Sequence, residues 1–221
     1  MENREKLISL AVRYNGNYDM ISWGMLVKEW DPSFNTNLKA ITVLDEEYPL
    51  SLFDLNKNPF VLFYKGNLEL LKEKDKIAIL GCKEVSELSK QVTKDFIESN
   101  QDKVFVSGIE DGLSEIVHQT AEKSIAILEG DFDKIEIGDL NQKLILSEHP
   151  FETSVAVSDD RRLIAGFADE VIVMELRKHS SEIDTLSEAI CFGKKIKIFN
   201  HPDNNLVANS KLIKQGIGEI F

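Results

Sequence analysis

From residue 76 onward, short unbroken apolar runs alternate with amphipathic segments, and this alternation restricts the fold more than any other property of the chain. The runs are Ile77–Leu80, Val104–Val106, Ile125–Leu128, Leu144–Leu146, Val171–Met174 and Ile196–Phe199. Each is too short for a helix and is apolar at almost every position, so both of its faces must be covered. The segments between them carry helical spacing. Leu88, Val92, Phe96 and Ile97 share one face of a helix expected over Ser86–Asn100, and further helices are expected over Leu113–Ala121 and Ile183–Phe192, the last ending at Gly193. Buried strands joined through helices form a parallel sheet with helices on both faces. The expected fold class is therefore α/β, a doubly wound Rossmann-like parallel sheet over residues 68–221.

Upstream of this region the texture differs. Leu7, Ile8, Leu10 and Ala11 recur at helical spacing; Tyr14-Asn15-Gly16-Asn17 breaks the pattern; Ile21, Met25, Leu26 and Trp30 resume it until Asp31-Pro32. Residues 1–45 are thus expected to form a small N-terminal helical domain. Residues 46–67 form a connector holding one strand, Phe60–Tyr64, closed by Lys65-Gly66-Asn67.

Charge narrows the function. The chain has 26 Lys+Arg against 38 Asp+Glu, a net of -12, which opposes general binding to nucleic acid or to an anionic membrane. Any anion site must be local. No apolar run approaches the ~18 residues that span a bilayer. The charged start Met1-Glu2-Asn3-Arg4-Glu5-Lys6 does not resemble a signal peptide. Cys82 and Cys191 stand far apart and are expected as reduced thiols of a cytoplasmic protein. There is no Cys-x-x-Cys or His-x-x-x-His pair, so neither a metal nor a cofactor is expected.

In a doubly wound sheet, ligands bind at the carboxyl ends of the strands. There the sequence places Gly81-Cys82-Lys83 and Ser107-Gly108-Ile109-Glu110-Asp111-Gly112. Small residues before a helix can expose N–H groups to an anion, or can simply make tight turns. No Gly-x-Gly-x-x-Gly follows the first strand and no P-loop is present. His118 reads either as a satisfied helix histidine or as part of a site. Glu148 and His149 are a possible acid–base pair, although adjacent residues at a strand end usually point apart. Asp159-Asp160-Arg161-Arg162 reads as a solvated helix start, or as two arginines that grip phosphate.

Taken in order, these positions resemble the DNA-processing protein A (DprA, or Smf) family over roughly residues 46–218. The resemblance is carried by Tyr48-Pro49-Leu50, Phe63-Tyr64-Lys65-Gly66, Ile79-Leu80-Gly81-Cys82-Lys83, Val106-Ser107-Gly108 with Gly112 and His118, and Leu146-Ser147-Glu148-His149-Pro150. Arg162–Phe167, the stretch Val173–Gly193 and Leu212-Ile213-Lys214-Gln215-Gly216 complete it. The resemblance implies a non-catalytic protein that binds single-stranded DNA in a basic pocket and forms a homodimer. It also implies delivery of the DNA to a RecA-type recombinase during natural transformation. The expected form lacks the C-terminal winged helix that some members carry. The DNA- or phosphate-binding positions implied are Gly81, Lys83, Ser107, Gly108, Gly112, Arg161, Arg162, His179, Ser180 and Lys194.

The sequence departs from the family pattern where that pocket should lie. Lys83 replaces an arginine, keeping the charge but losing the bidentate fork. Ser114 replaces an aspartate. Glu110, Glu129, Asp131 and Asp160 stand where small or basic residues are expected, and carboxylates near a phosphate site repel it. Two functions of different class follow: a divergent single-stranded DNA binder, or a degenerate relative that has lost the pocket and works through protein contacts. A third, a nucleotide-binding or nucleotide-hydrolysing Rossmann enzyme, would need Glu148 or Glu175 for its chemistry.

Overall fold

A computed structural model describes the chain except Met1, residues 110–111, 131, 133–134, 153–159, 178–179, 181 and 204–207, and the side chain of Asp160. In chain order the elements begin with α1 (Asn3–Arg13), α2 (Tyr18–Val27), β1 (Lys39–Thr42) and β2 (Val61–Gly66). They continue with β3 (Lys76–Gly81), α3 (Glu87–Glu98), β4 (Val104–Ser107), α4 (Leu113–Thr120), β5 (Lys123–Ile127) and β6 (Lys143–Ser147). The last are α5 (Asp160–Phe167), β7 (Glu170–Glu175), α6 (Glu182–Cys191), β8 (Lys195–Ile198), α7 (Asn209–Lys214) and β9 (Glu219–Ile220). The strands make one sheet of nine in the order β1-β2-β6-β5-β4-β3-β7-β8-β9. From β6 through β9 every neighbouring pair is parallel. The chain winds outward from β3 to β6, then returns to β7 on the other side of β3, which makes the doubly wound order.

The two-residue period of a strand divides the core. Ile77, Ile79, Phe105 and Ile172 point to one face and pack with Ile97 of α3 and Leu113 and Val117 of α4. Ala78, Leu80, Val104, Val106 and Val173 point to the other and pack with Leu163 and Phe167 of α5 and Leu186 of α6. The expectation of a sheet covered on both faces holds.

The boundaries expected at residues 45 and 67 fall inside this one sheet. β2 pairs antiparallel with β6, and β1 pairs antiparallel with β2. β1 lies within the segment expected to be helical; with only Ile41 and Thr42 of its four residues buried, it lacks the apolar run of a central strand. Leu7, Leu10 and Ala11 of α1 and Ile21 of α2 pack on Val61, Phe63, Ala126 and Ile145, so the helical pair shares a core with the sheet. α2 stops before Asp31-Pro32, because Lys28 takes a left-handed conformation and turns its N–H back to Gly24 and Met25. The turn between the helices is seated on the loop after β6. Asn15 C=O pairs with His149 Nδ1 at 2.7 Å, and Phe151 N–H donates to Asn15 Oδ1 at 3.1 Å. Gly16, at φ +77°, lies so close that a Cβ would sit 2.2 Å from the Glu148 carbonyl oxygen.

Candidate functional site

A cleft of about 280 Å³ opens at the carboxyl ends of β3, β4 and β5. Gly81, Ser107, Gly108 and Leu128 come from the strand ends, Arg161 and Ile164 from α5, and Glu182 and Thr185 from α6. Its walls are largely aliphatic, and the lining side chains include one cation, Arg161, and two carboxylates, Glu129 and Glu182.

Gly112 sets the geometry of the loops. It takes φ 88° and ψ -125° and opens α4, while a Cβ there would lie 2.5 Å from the Lys83 carbonyl oxygen. The loops after β3 and β4 therefore touch backbone to backbone, which only glycine permits. Gly81 is close-packed too, its missing Cβ space taken by Leu113. Ser107 Oγ donates to Ser114 Oγ at 3.1 Å, so these two hydroxyls of the cleft pair with each other.

Behind them His118 is buried. Its Nε2 is 2.7 Å from the Gly108 carbonyl oxygen, which can only accept, so Nε2 carries the proton. Nδ1 then accepts from Ser124 Oγ at 3.0 Å. Burial lowers the imidazole pKa to about 4, outweighing the Gly108 hydrogen bond that favours the cation. The ring is thus a neutral post under the Gly108 loop, and Lys143 Nζ donates to the His118 carbonyl from below. Its folded pKa lies beneath the unfolded value of 6.5, so between pH 6.5 and 4 the unfolded chain binds a proton that the folded chain does not. Stability through this group is complete above pH 6.5 and falls as pH drops. At pH 5 the loss relative to pH 7.5 is roughly 2 kcal/mol. Urea unfolding of the parent and of His118→Asn at both pH values isolates it, since the asparagine variant lacks this group's part of the pH slope.

The remaining expected positions divide. Arg161 faces the cleft, 3.7 Å from Asp184 Oδ2. Its neighbour Arg162 does not act as a cleft cation. It is turned inward, with its side chain 9% exposed, and Nη2 donates to Glu148 Oε2 at 2.7 Å and to the Lys57 carbonyl at 2.9 Å. Successive residues on a helix point about 100° apart, so only one of the two arginines can reach the cleft. Lys83 is exposed two residues beyond Gly81 and does not line the cleft. Ser180 lies in the turn into α6, its N–H bonded to the Arg177 carbonyl at 3.1 Å, and its buried Oγ has no hydrogen-bond partner among the described residues. Lys194 lies at the opposite edge of the sheet. It immediately precedes β8, whose first residue pairs with the first residue of β7, and its Nζ is 3.4 Å from the Gly166 carbonyl oxygen. A side chain that enters a parallel strand from its amino end cannot join a site at the carboxyl ends. Of the acidic departures, Glu129 lines the cleft, whereas Glu110, Asp131 and the Asp160 side chain lie outside the described residues, as does His179.

Glu148 and Glu175 are committed to structure. Ser86 N–H and Oγ–H donate to Glu175 Oε2 at 2.9 and 2.7 Å, at the N-terminus of α3. Burial would raise the Glu175 pKa, but the hydrogen bonds from Ser86 and Ser89 hold it below the usual carboxylate range. Asp203 N–H donates to His201 Nδ1, so Nε2 carries that ring's proton and faces Ser86 Oγ at 3.1 Å. A carboxylate of the chain itself thus fills the helix N-terminus that follows the first parallel strand, where a Rossmann sheet would take a nucleotide phosphate. The Cys82 thiol beside it is buried and pushed up to about 11, by burial first and then by the Glu175 charge, which leaves it unreactive at neutral pH. The expectations missed Glu182 and the apolar wall of Ile109, Ile135 and Ile164. Glu182 was accessible in principle, because it lies three residues before Thr185 on one helix face.

A doubly wound sheet extended by an antiparallel pair, with a glycine- and serine-bordered cleft at its strand ends, defines the class as an extended Rossmann-type protein. The chain belongs to the family described as DNA recombination-mediator protein A, which matches residues 39–221. It is 28% identical over 207 residues to the DNA processing protein DprA of Bacillus subtilis (strain 168), covering 83% of this chain and 68% of that protein. It is 30% identical over 173 residues to DprA of Streptococcus pneumoniae (strain ATCC BAA-255 / R6), covering 71% of this chain and 61% of that protein. The chain thus spans about two thirds of the length of these relatives. Two solved structures share the fold. The X-ray structure of DNA processing protein A from Streptococcus pneumoniae superposes with a TM-score of 0.78 at 23% identity, over 98% of this chain and 89% of that one. That of Helicobacter pylori, a protein with a unique single-stranded DNA binding mode, gives 0.73 at 23% identity, over 83% and 91%.

Proposed function

We propose that this protein binds single-stranded DNA in the cleft at the ends of β3–β5 and is a carrier rather than a catalyst. On this reading it works in the cytoplasm as a homodimer and passes DNA to a RecA-type recombinase during natural transformation. The cleft itself carries the proposal: a site at the strand ends, bordered by Gly81 and Gly108, with Arg161 facing it. The single-stranded DNA binding of the Helicobacter pylori relative supports the ligand. A binding role is supported by the chemistry around the cleft, where Ser107 and Ser114 are bonded to each other and the His118 imidazole is engaged at both nitrogens. With Arg162 turned inward, the expected cations among the described residues that remain for phosphate contacts are Arg161 in the cleft and Lys83, exposed just outside it.

Two such contacts imply a log–log salt dependence of about -1.4, shallow for a DNA binder. Fluorescence anisotropy with a labelled oligothymidylate at low salt should show binding, weakened about tenfold by Arg161→Ala. Absence of binding at low salt would refute the proposal, as would affinities unchanged in both Lys83→Ala and Arg161→Ala. A second reading, a relative acting through protein contacts, is favoured by Arg162 being engaged by Glu148 and by the two cleft carboxylates. It predicts a dimer in sedimentation that does not retain any oligonucleotide.

A further inference from the structure

We propose that Glu129 makes the cleft a reader of guanine. This rests on the single-stranded DNA reading above and adds the base that the site selects. Three observations lead to it. The space, about 280 Å³, lies below the usual range of about 300–1,000 Å³ for ligand pockets, so it suits one base and not a whole nucleotide chain. Its walls are largely aliphatic, with Ile79, Ile127, Ile135 and Ile164 among the lining residues available for apolar contact with a ring. Glu129 lines the same space, is exposed, and makes no hydrogen bond or ion pair with another described residue. The backbone beside it is held in place, because Gly130 is buried at φ +98° with the Phe151 carbonyl oxygen 2.3 Å from where a Cβ would be.

An ionised carboxylate has two oxygens that only accept. It repels a phosphate, so this position does not hold the backbone of the strand. It attracts an edge bearing adjacent N–H donors. Guanine is the one base whose Watson–Crick edge offers two side by side, N1–H and the 2-amino group, which match the carboxylate in a bidentate pair. Cytosine and adenine each offer one amino donor beside a ring acceptor. Thymine offers N3–H between two carbonyl oxygens, both of which face the carboxylate unfavourably. A bidentate base contact discriminates on the order of tenfold or more. Arg161, which lines the same cleft, would then meet the adjoining phosphate.

The test is anisotropy at low salt with three oligonucleotides of equal length: all thymidine, thymidine with isolated guanines, and the same with inosine, which lacks the 2-amino group, at the guanine positions. The parent should bind the guanine oligonucleotide about tenfold more tightly than oligothymidylate, with inosine between them. Glu129→Gly should remove the preference, chiefly by tightening oligothymidylate, and Glu129→Gln should reduce it. Because Glu129 is exposed, neither change threatens the fold. Binding without a guanine preference, or a preference that survives in Glu129→Gly, would overturn the base assignment while leaving DNA binding intact. Failure of all three oligonucleotides to bind would overturn both.

Discussion

Replacing Arg162 by methionine is expected to cost about 3–5 kcal/mol of stability, because it strands the Glu148 carboxylate in the interior. For a chain of this size that is a fall in Tm of roughly 10 °C. Glu148 is only 5% exposed at its side chain, and the pair at 2.7 Å joins the loop after β6 to α5. The double replacement Arg162→Met with Glu148→Leu removes both charges and should recover most of the loss, since an apolar pair of similar volume avoids the desolvation of two ions. Urea unfolding of the parent, both single variants and the double variant gives the coupling directly. A parent-like stability in Arg162→Met, together with lost DNA binding, would show that this arginine serves the ligand and not the fold.

Gly112→Val is expected to destabilise by about 3 kcal/mol or more. The backbone conformation alone costs roughly 1–3 kcal/mol for a residue with a side chain. The added Cβ would in addition press on the Lys83 carbonyl oxygen at 2.5 Å, and backbone cannot rotate away. Gly108, four residues earlier in the same loop, is the control. Its Cβ position meets nothing nearer than Ser114 Oγ at 4.0 Å. Gly108→Ala should therefore stay within about 0.5 kcal/mol of the parent. Equal losses at the two glycines in thermal unfolding would show that close approach of the loops is not what Gly112 serves.

The central strands were legible because burial on both faces leaves no polar position to confuse the period. β1 was not: an edge strand of four residues with two buried carries almost no pattern. The buried stripe of α3 starts one position away from the one its hydrophobic residues predict. Its deepest positions are Ser89, Thr93 and Ile97, whereas Leu88, expected inside, is 42% exposed. Small hydroxyl residues can occupy a tight helix–sheet contact where leucine would be too large, and a hydrophobicity pattern ranks them the wrong way. At the site, the strand-end glycines and serines were readable from topology alone. The roles of Arg161 and Arg162 were not, since adjacent residues of one charge differ only in the direction that the helix gives them. Lys194 is a different case. Its place directly before a strand puts it at the amino edge, although its position in the family pattern groups it with residues from the other end.

The seating of Gly16 against the Glu148 backbone, with α1 packed over Val61, Phe63 and Ile145, bears on how the chain can be cut. The family match begins at residue 39, which invites trimming to that point. A fragment so trimmed would keep every strand and the whole cleft, yet turn a continuous aliphatic and aromatic surface to water. A preparation without the first 38 residues is therefore expected to aggregate before it reports on DNA.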